Sequence, residues 1–274
     1  VLRLSKNLGG SSALGLIVTG GRPDAEGGAF TGGVDYRLGS PRAFGEGRAG
    51  DLWGWWLTTS VEGEGGEGDA FGVSGQMRSE QWHHEASVQS IGAHFDPALG
   101  FVRRTGVRNY TWESGYEWRS ESDGPVRSLG GNLSPRYTTD LAGELDSWHA
   151  PFSWLDLEFA SEDSVEFMIE RNFERIDEEF ELSEDTQVDV GDYAAWLHGV
   201  ELSTNDRRVL NGSISYELGD FYAGELRQWT VEPILIPGPL LTWAVEFEDI
   251  DVDLGNQGFH TQLYATRVDF SFDP

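Results

Sequence analysis

The chain has 274 residues, 36 glycines spread from end to end, 11 tryptophans and no stretch of linker composition, so it reads as one domain over 1–274 with enough length to bury a core. A formal charge of -28 argues against nucleic acid or an anionic headgroup layer as an electrostatic partner, while permitting cations or an acid-lined interior. No cysteine is present, which removes disulfide frameworks, thiolate metal sites and cysteine nucleophiles, and no apolar run approaches the roughly 20 residues of a transmembrane helix, which leaves a membrane β-barrel open.

The first strand-like run, Ser11 to Thr19, ends at Gly20-Gly21, and Ala29 to Leu38 and Leu52 to Ser60 follow. Val61 to Asp69 is a polar, glycine-rich loop, read either as a solvated turn or as an acidic strip for cations. Ala70 to Arg78 and Trp82 to Ala93 read as a hairpin. It carries His83 and His84, which as neighbours on a strand point to opposite faces and cannot chelate one ion together.

The longest break begins at His94. Pro97 and Gly100 forbid a regular ladder, and Val107 to Trp118 then alternates as a strand. Val126 to Thr139 and Glu144 to Phe159 continue the series. Ser164 to Phe180 is ambiguous: Val165, Met168, Ile169, Phe173, Ile176 and Phe180 fall on a helical stripe, whereas a strand reading falters near Arg171. Asp192 to Leu202, Arg207 to Leu218, Phe221 to Ile236, Leu240 to Val252 and Phe259 to Phe272 complete about fourteen strands, a number at which an antiparallel meander must curl, close or split. The fold class expected is therefore all-β: an antiparallel meander forming an outer-membrane-type β-barrel, with a soluble sandwich or solenoid as the alternative.

Residues that could carry chemistry are few. Asp249, Asp251 and Asp253, followed by Gly255, have acidic spacing reminiscent of a calcium loop, but the same spacing arises when alternate acids share one face of a strand. No serine elbow, phosphate-binding loop or HExxH occurs, so no catalytic residue, enzyme activity or cofactor is assigned beyond calcium as a weak candidate. The tryptophans admit three readings: a girdle at the two water–lipid boundaries, sugar-stacking platforms, or core.

The segment Ile91-Gly-Ala-His-Phe-Asp-Pro-Ala-Leu-Gly-Phe-Val-Arg-Arg-Thr-Gly-Val-Arg-Asn-Tyr110 resembles the hallmark of an uncharacterised outer-membrane barrel domain of Gram-negative bacteria. Ser11 to Thr19, Gly191 to Tyr193 and Arg207 to Tyr222 resemble further parts of that domain, in order. The resemblance implies a barrel of unknown activity in the cell outer membrane, normally following a carbohydrate-binding-like sandwich domain and continuing through further strands, so that 1–274 is expected to be a fragment or else a variant that closes with fewer strands. It also implies a strand and then a loop over Ser164 to Phe180.

The function expected is a channel or surface anchor in the lipid bilayer, with small solutes or glycans as partners; the alternatives are a soluble or surface-bound carbohydrate-binding β-protein and a glycan hydrolase. Leu210, Ile214, Tyr216 and Leu218 are expected to face lipid, against Ser213, Ser215 and Glu217. Arg103, Arg104 and Arg108 cluster in a chain with only 19 basic residues. An inward-folded loop could set them against carboxylates as a pore constriction; otherwise they neutralise acids at nearby strand ends.

Overall fold

The computed structural model describes residues 1–21, 28–61, 66–97, 99–183 and 185–272. Its elements are all strands: β1 (Leu2–Gly9), β2 (Ser12–Gly20), β3 (Ala29–Ser40), β4 (Ala49–Val61), β5 (Gly66–Arg78), β6 (Trp82–Ile91), β7 (Val107–Arg119), β8 (Val126–Leu133), β9 (Arg136–Asp140), β10 (Leu145–Phe159), β11 (Ser164–Ile176), β12 (Phe180–Ser183), β13 (Thr186–Val188), β14 (Gly191–Thr204), β15 (Leu210–Phe221), β16 (Gly224–Gly238), β17 (Leu241–Asp253) and β18 (Gly258–Phe270). Sixteen of them form one sheet in meander order from β1 to β18, with β9 pairing β7 and β10, while β12 and β13 form a separate hairpin. The chain is thus an all-β antiparallel meander. Its described residues fall into two compact units, Val1–Gly115 with Ser134–Trp148, and Tyr116–Leu133 with His149–Pro274.

Several expectations are corrected. β1 lies before the first run identified in the sequence, and Gly66 to Asp69 already belong to β5, whereas 62–65 lie outside the described residues. The run Val126 to Thr139 is interrupted before Pro135, which cannot donate to the ladder, so it becomes β8 and β9. The helical stripe over Ser164 to Phe180 is overturned, because β11 pairs with β14 without a break from Ser164–Ser203 to Ile176–Gly191. Arg171 does not end the strand: its guanidinium stacks 4.9 Å above the Trp196 ring on the neighbouring strand.

Each unit has two distinct sheet faces because strand side chains alternate. In the first, Leu4, Leu16, Val34, Trp56 and Phe71 are successive register partners, all exposed. In the second, the row Val165, Leu202, Ile214, Val231, Phe247 and Tyr264 crosses six strands. Leu210, Ile214 and Leu218 share that face with Tyr216 and are exposed. The opposite row, Glu166, Glu201, Ser215, Thr230 and Glu248, is polar.

Candidate functional site

Two segments lie on polar faces, the first held by hydrogen bonds and a close glycine contact and the second by apolar residues that break the polarity of its face. In the first unit, the loop after β6 turns back over β4 and β5. Gly92 donates to the Asp69 carbonyl at 2.8 Å, and the Asp96 amide donates to Thr59 Oγ1 at 3.2 Å. Thr59 and Phe95 are buried at 1% and 5% exposure. The loop backbone at His94–Phe95 passes so close to Gly68 that a Cβ there would collide with it. Gly68→Val is therefore expected to lift the loop, exposing Phe95 at a cost of about 1.5–3 kcal/mol, and to speed amide exchange at Gly92 and Asp96; unchanged exchange would mean the loop is not seated there.

The three arginines do not converge. Arg104 makes a bidentate pair with Asp146, at 2.7 and 2.6 Å, near the start of β10. Arg103 is exposed on the loop, and Arg108 stands on β7 opposite Thr139, on the face that carries Tyr110 and Trp112. Asp249, Asp251 and Asp253 do not converge either. They occupy the outer, polar end of the second unit's otherwise apolar face, where Asp249 accepts from Gln262 at 2.7 Å and meets His260 at 2.9 Å, while Asp253 accepts the Gly255 amide at 2.8 Å. Among the described residues no group of three or more His, Asp or Glu is arranged to hold a metal. His83 and His84 part as alternation requires, His83 to Glu113 at 3.1 Å and His84 to Ser114 at 2.8 Å.

The second segment escaped sequence reasoning. The β12–β13 hairpin folds over the second unit's polar face, and Val188 and Thr186 are each only 2% exposed. Nearby, Leu226, Val252 and Leu254 form a buried cluster against Leu182, Leu197, Phe221, Ile250 and Phe259. The hairpin is pinned to the β17–β18 turn by reciprocal bonds, the Gln187 amide to Gln257 Oε1 at 3.1 Å and Gln257 Nε2 to the Gln187 carbonyl at 2.6 Å. A signal existed: Leu197, Leu226, Ile250 and Val252 are apolar at positions whose parity otherwise carries Glu, Ser, Thr and Gln. At the same end, Tyr222 sits in a left-handed turn (φ 48°) among Phe180, Tyr193 and Phe221. Burial, reinforced by the Glu174 carboxylate to which it donates, pushes its hydroxyl up to about 12, so it stays protonated.

At the opposite ends of these strands two turns are latched. Asp163 accepts from Arg208 at 2.7 Å, from Ser161 at 2.7 Å and from the Asn205 amide at 3.1 Å. The Arg208 bond leads in holding its carboxyl down at about 2. A carboxyl depressed when folded stabilises above its ordinary value, roughly 3.9, and loses that contribution as pH falls through the folded value. Protection of the Asn205 amide is thus expected to fade between about pH 4 and pH 2, and Asp163→Asn to flatten that dependence; protection persisting below that window would contradict the latch.

The tryptophans divide between faces. Trp56, Trp82, Trp112, Trp118, Trp154, Trp196, Trp229 and Trp243 are all exposed, and Trp56 points outward with the apolar row. Trp53 and Trp55, grouped with it in the sequence as girdle candidates, point to the polar face instead, because their parity is opposite. There they line a cavity of about 460 Å³ with Asp35, Arg37, Gln76 and Glu85.

No family model matches this chain, and the comparisons with curated proteins and with solved structures give no match.

Proposed function

We propose that the chain is an outer-membrane-type β-barrel acting as a channel, with the apolar faces against lipid and the polar faces lining a water-filled interior. The observation that carries this reading is the uninterrupted apolar and aromatic row Val165, Leu202, Ile214, Val231, Phe247 and Tyr264, in which Leu202, Ile214 and Tyr264 are exposed and the others half-buried, backed by Glu and Ser on the reverse of the same strands. Soluble monomers rarely expose contiguous apolar patches beyond a few hundred Å². In a bilayer such a row meets hydrocarbon, and the face turns polar at the Tyr216–Trp229 pair, whose register neighbour on β17 is Asp249, and one row on at Arg227 and Asp251, as a strand leaving hydrocarbon should. The outer edges of β1 and β18 must then be paired in the membrane, since open edges in lipid leave amides unsatisfied. Membership of the outer-membrane barrel family, and the outer membrane as location, belong to the same proposal.

The loop after β6 is the segment whose loosening should widen such a channel. Replacing Arg103 and Arg104 with Ala removes the Asp146 anchor and two positive charges, and is expected to raise both single-channel conductance and cation selectivity. The purified chain is expected to need detergent or lipid to fold as a monomer and to give discrete conductance steps in planar bilayers. A monomeric, folded chain in plain buffer that leaves bilayers silent contradicts the proposal.

A further inference from the structure

The geometry points to a binding subsite for a neutral saccharide on the polar face of the first unit, centred on Trp53 and Trp55. A half-buried indole on a polar face has neither lipid nor core to cover it, and here two stand at alternate positions of β4. The Trp55 ring lies over Gly72 of β5, where a Cβ would meet its Nε1 at 2.6 Å, so the glycine seats the ring against the sheet. Around the indoles the register sets Asp35 opposite Trp55, Arg37 and Ser74 opposite Trp53, and Gln76 between Asp51 and Glu85. The cavity they share, about 460 Å³, lies within the range of roughly 300–1,000 Å³ usual for small-ligand sites.

Both arginines at this site already hold carboxylates, and Glu85 adds a further carboxylate to the lining. Arg3 donates to both oxygens of Asp35 at 2.6 and 3.0 Å. Arg37 donates twice to Asp51 Oδ1, at 3.2 and 3.1 Å, and Gln76 donates to Asp51 Oδ2 at 2.8 Å. An anion would have to displace a carboxylate from each guanidinium, and the overall charge of -28 opposes its approach. A cation would gain Glu85 but would also face two guanidinium groups whose carboxylates are already engaged. A neutral polyol meets neither penalty: its C–H faces cover the indoles, and its hydroxyls exchange hydrogen bonds with the remaining carboxylate lone pairs and the Gln76 amide. Fixed planar groups of this kind orient a sugar without first having to be ordered.

The inference rests on the barrel reading only in calling this face the lumen. The test is calorimetric titration of the full chain, in whichever medium it folds, with maltohexaose, cellohexaose and xylohexaose, and with an oligogalacturonate as anionic control. At least one neutral hexasaccharide is expected to bind more tightly than the oligogalacturonate. Trp53→Ala or Trp55→Ala should weaken it roughly tenfold or more, and Trp56→Ala, the adjacent residue on the opposite face, should leave it unchanged. If the alanine variants fail to fold, Trp53→Phe and Glu85→Gln take their place with the same expected weakening. The subsite is overturned if the folded chain binds none of the three at about 10 mM, tenfold above a 1 mM dissociation constant, if binding ignores these substitutions, or if the oligogalacturonate binds best. A conducting chain that binds no sugar overturns the subsite alone, and a soluble chain that binds one overturns the barrel alone.

Discussion

Ile214→Arg is expected to lower the stability of the lipid-folded chain by about 2–4 kcal/mol, whereas Ser215→Arg, one residue on, should cost little. Ile214 sits midway between Leu210 and Leu218 on the exposed face of β15, flanked across the ladders by Leu202 and Val231. A guanidinium there would be carried into hydrocarbon, and near mid-depth snorkelling gives it little relief. Ser215 lies on the reverse face between Glu201 and Thr230, where an arginine gains water and a carboxylate. Urea titration in phospholipid vesicles measures both. Equal stabilities for Ile214→Arg and the parent chain would remove lipid from that face.

Val188→Asp should undock the β12–β13 hairpin while leaving the ladders intact. The substitution forfeits about 1.5–3 kcal/mol of apolar burial and places a carboxylate at a position 2% exposed, next to the buried Thr186 hydroxyl, which has no hydrogen-bond partner among the described residues. The paired Gln187–Gln257 bonds, Leu182 against the Leu226–Val252–Leu254 cluster and the aromatic edge at Phe180 are what oppose release. Limited proteolysis should then cut within Phe180–Val188, the long strands remaining resistant, and on the channel reading conductance should rise. A hairpin as protected as in the parent would show that its docking does not depend on Val188.

Where one strand face was polar and the other apolar, the sequence was enough. Alternation over Arg207 to Leu218 locates β15, and the runs Phe221 to Ile236 and Leu240 to Val252 fall close to β16 and β17, although Gly219-Asp220 and Pro237-Gly238 lie inside strands rather than at turns. What failed needed partners distant in sequence. Arg171 looks like a strand breaker until Trp196 is beside it. Met168 and Ile176, which completed the helical stripe, lie on the other face of β11 from Val165 and Phe173. The β12–β13 hairpin is short and flanked by acids, and what holds it down comes from β16, β17 and the turn after β17.

The candidate site was less legible than the fold for the same reason. The arginine run has three members in the sequence, yet the partner that fixes Arg104 is Asp146, 42 residues away. Trp53, Trp55 and Trp56 are contiguous enough to read as one girdle cluster, but period-two geometry sends Trp56 to one face and the other two to the reverse. The acidic spacing of Asp249, Asp251 and Asp253 records the polar end of a strand face, and each carboxylate is spread along β17 rather than gathered to a point.

The most direct test of the central claim reads both faces of one strand in a membrane. Because the chain has no cysteine, single cysteines can be introduced from Leu210 to Glu217, labelled with an environment-sensitive fluorophore, and challenged in vesicles with lipid-attached and aqueous quenchers. Labels at Leu210, Ile214 and Tyr216 are expected to be quenched from lipid, and labels at Asn211, Ser213, Ser215 and Glu217 from water, alternating residue by residue. Aqueous quenching at every position, or lipid quenching without alternation, would contradict a barrel wall between hydrocarbon and a wet interior.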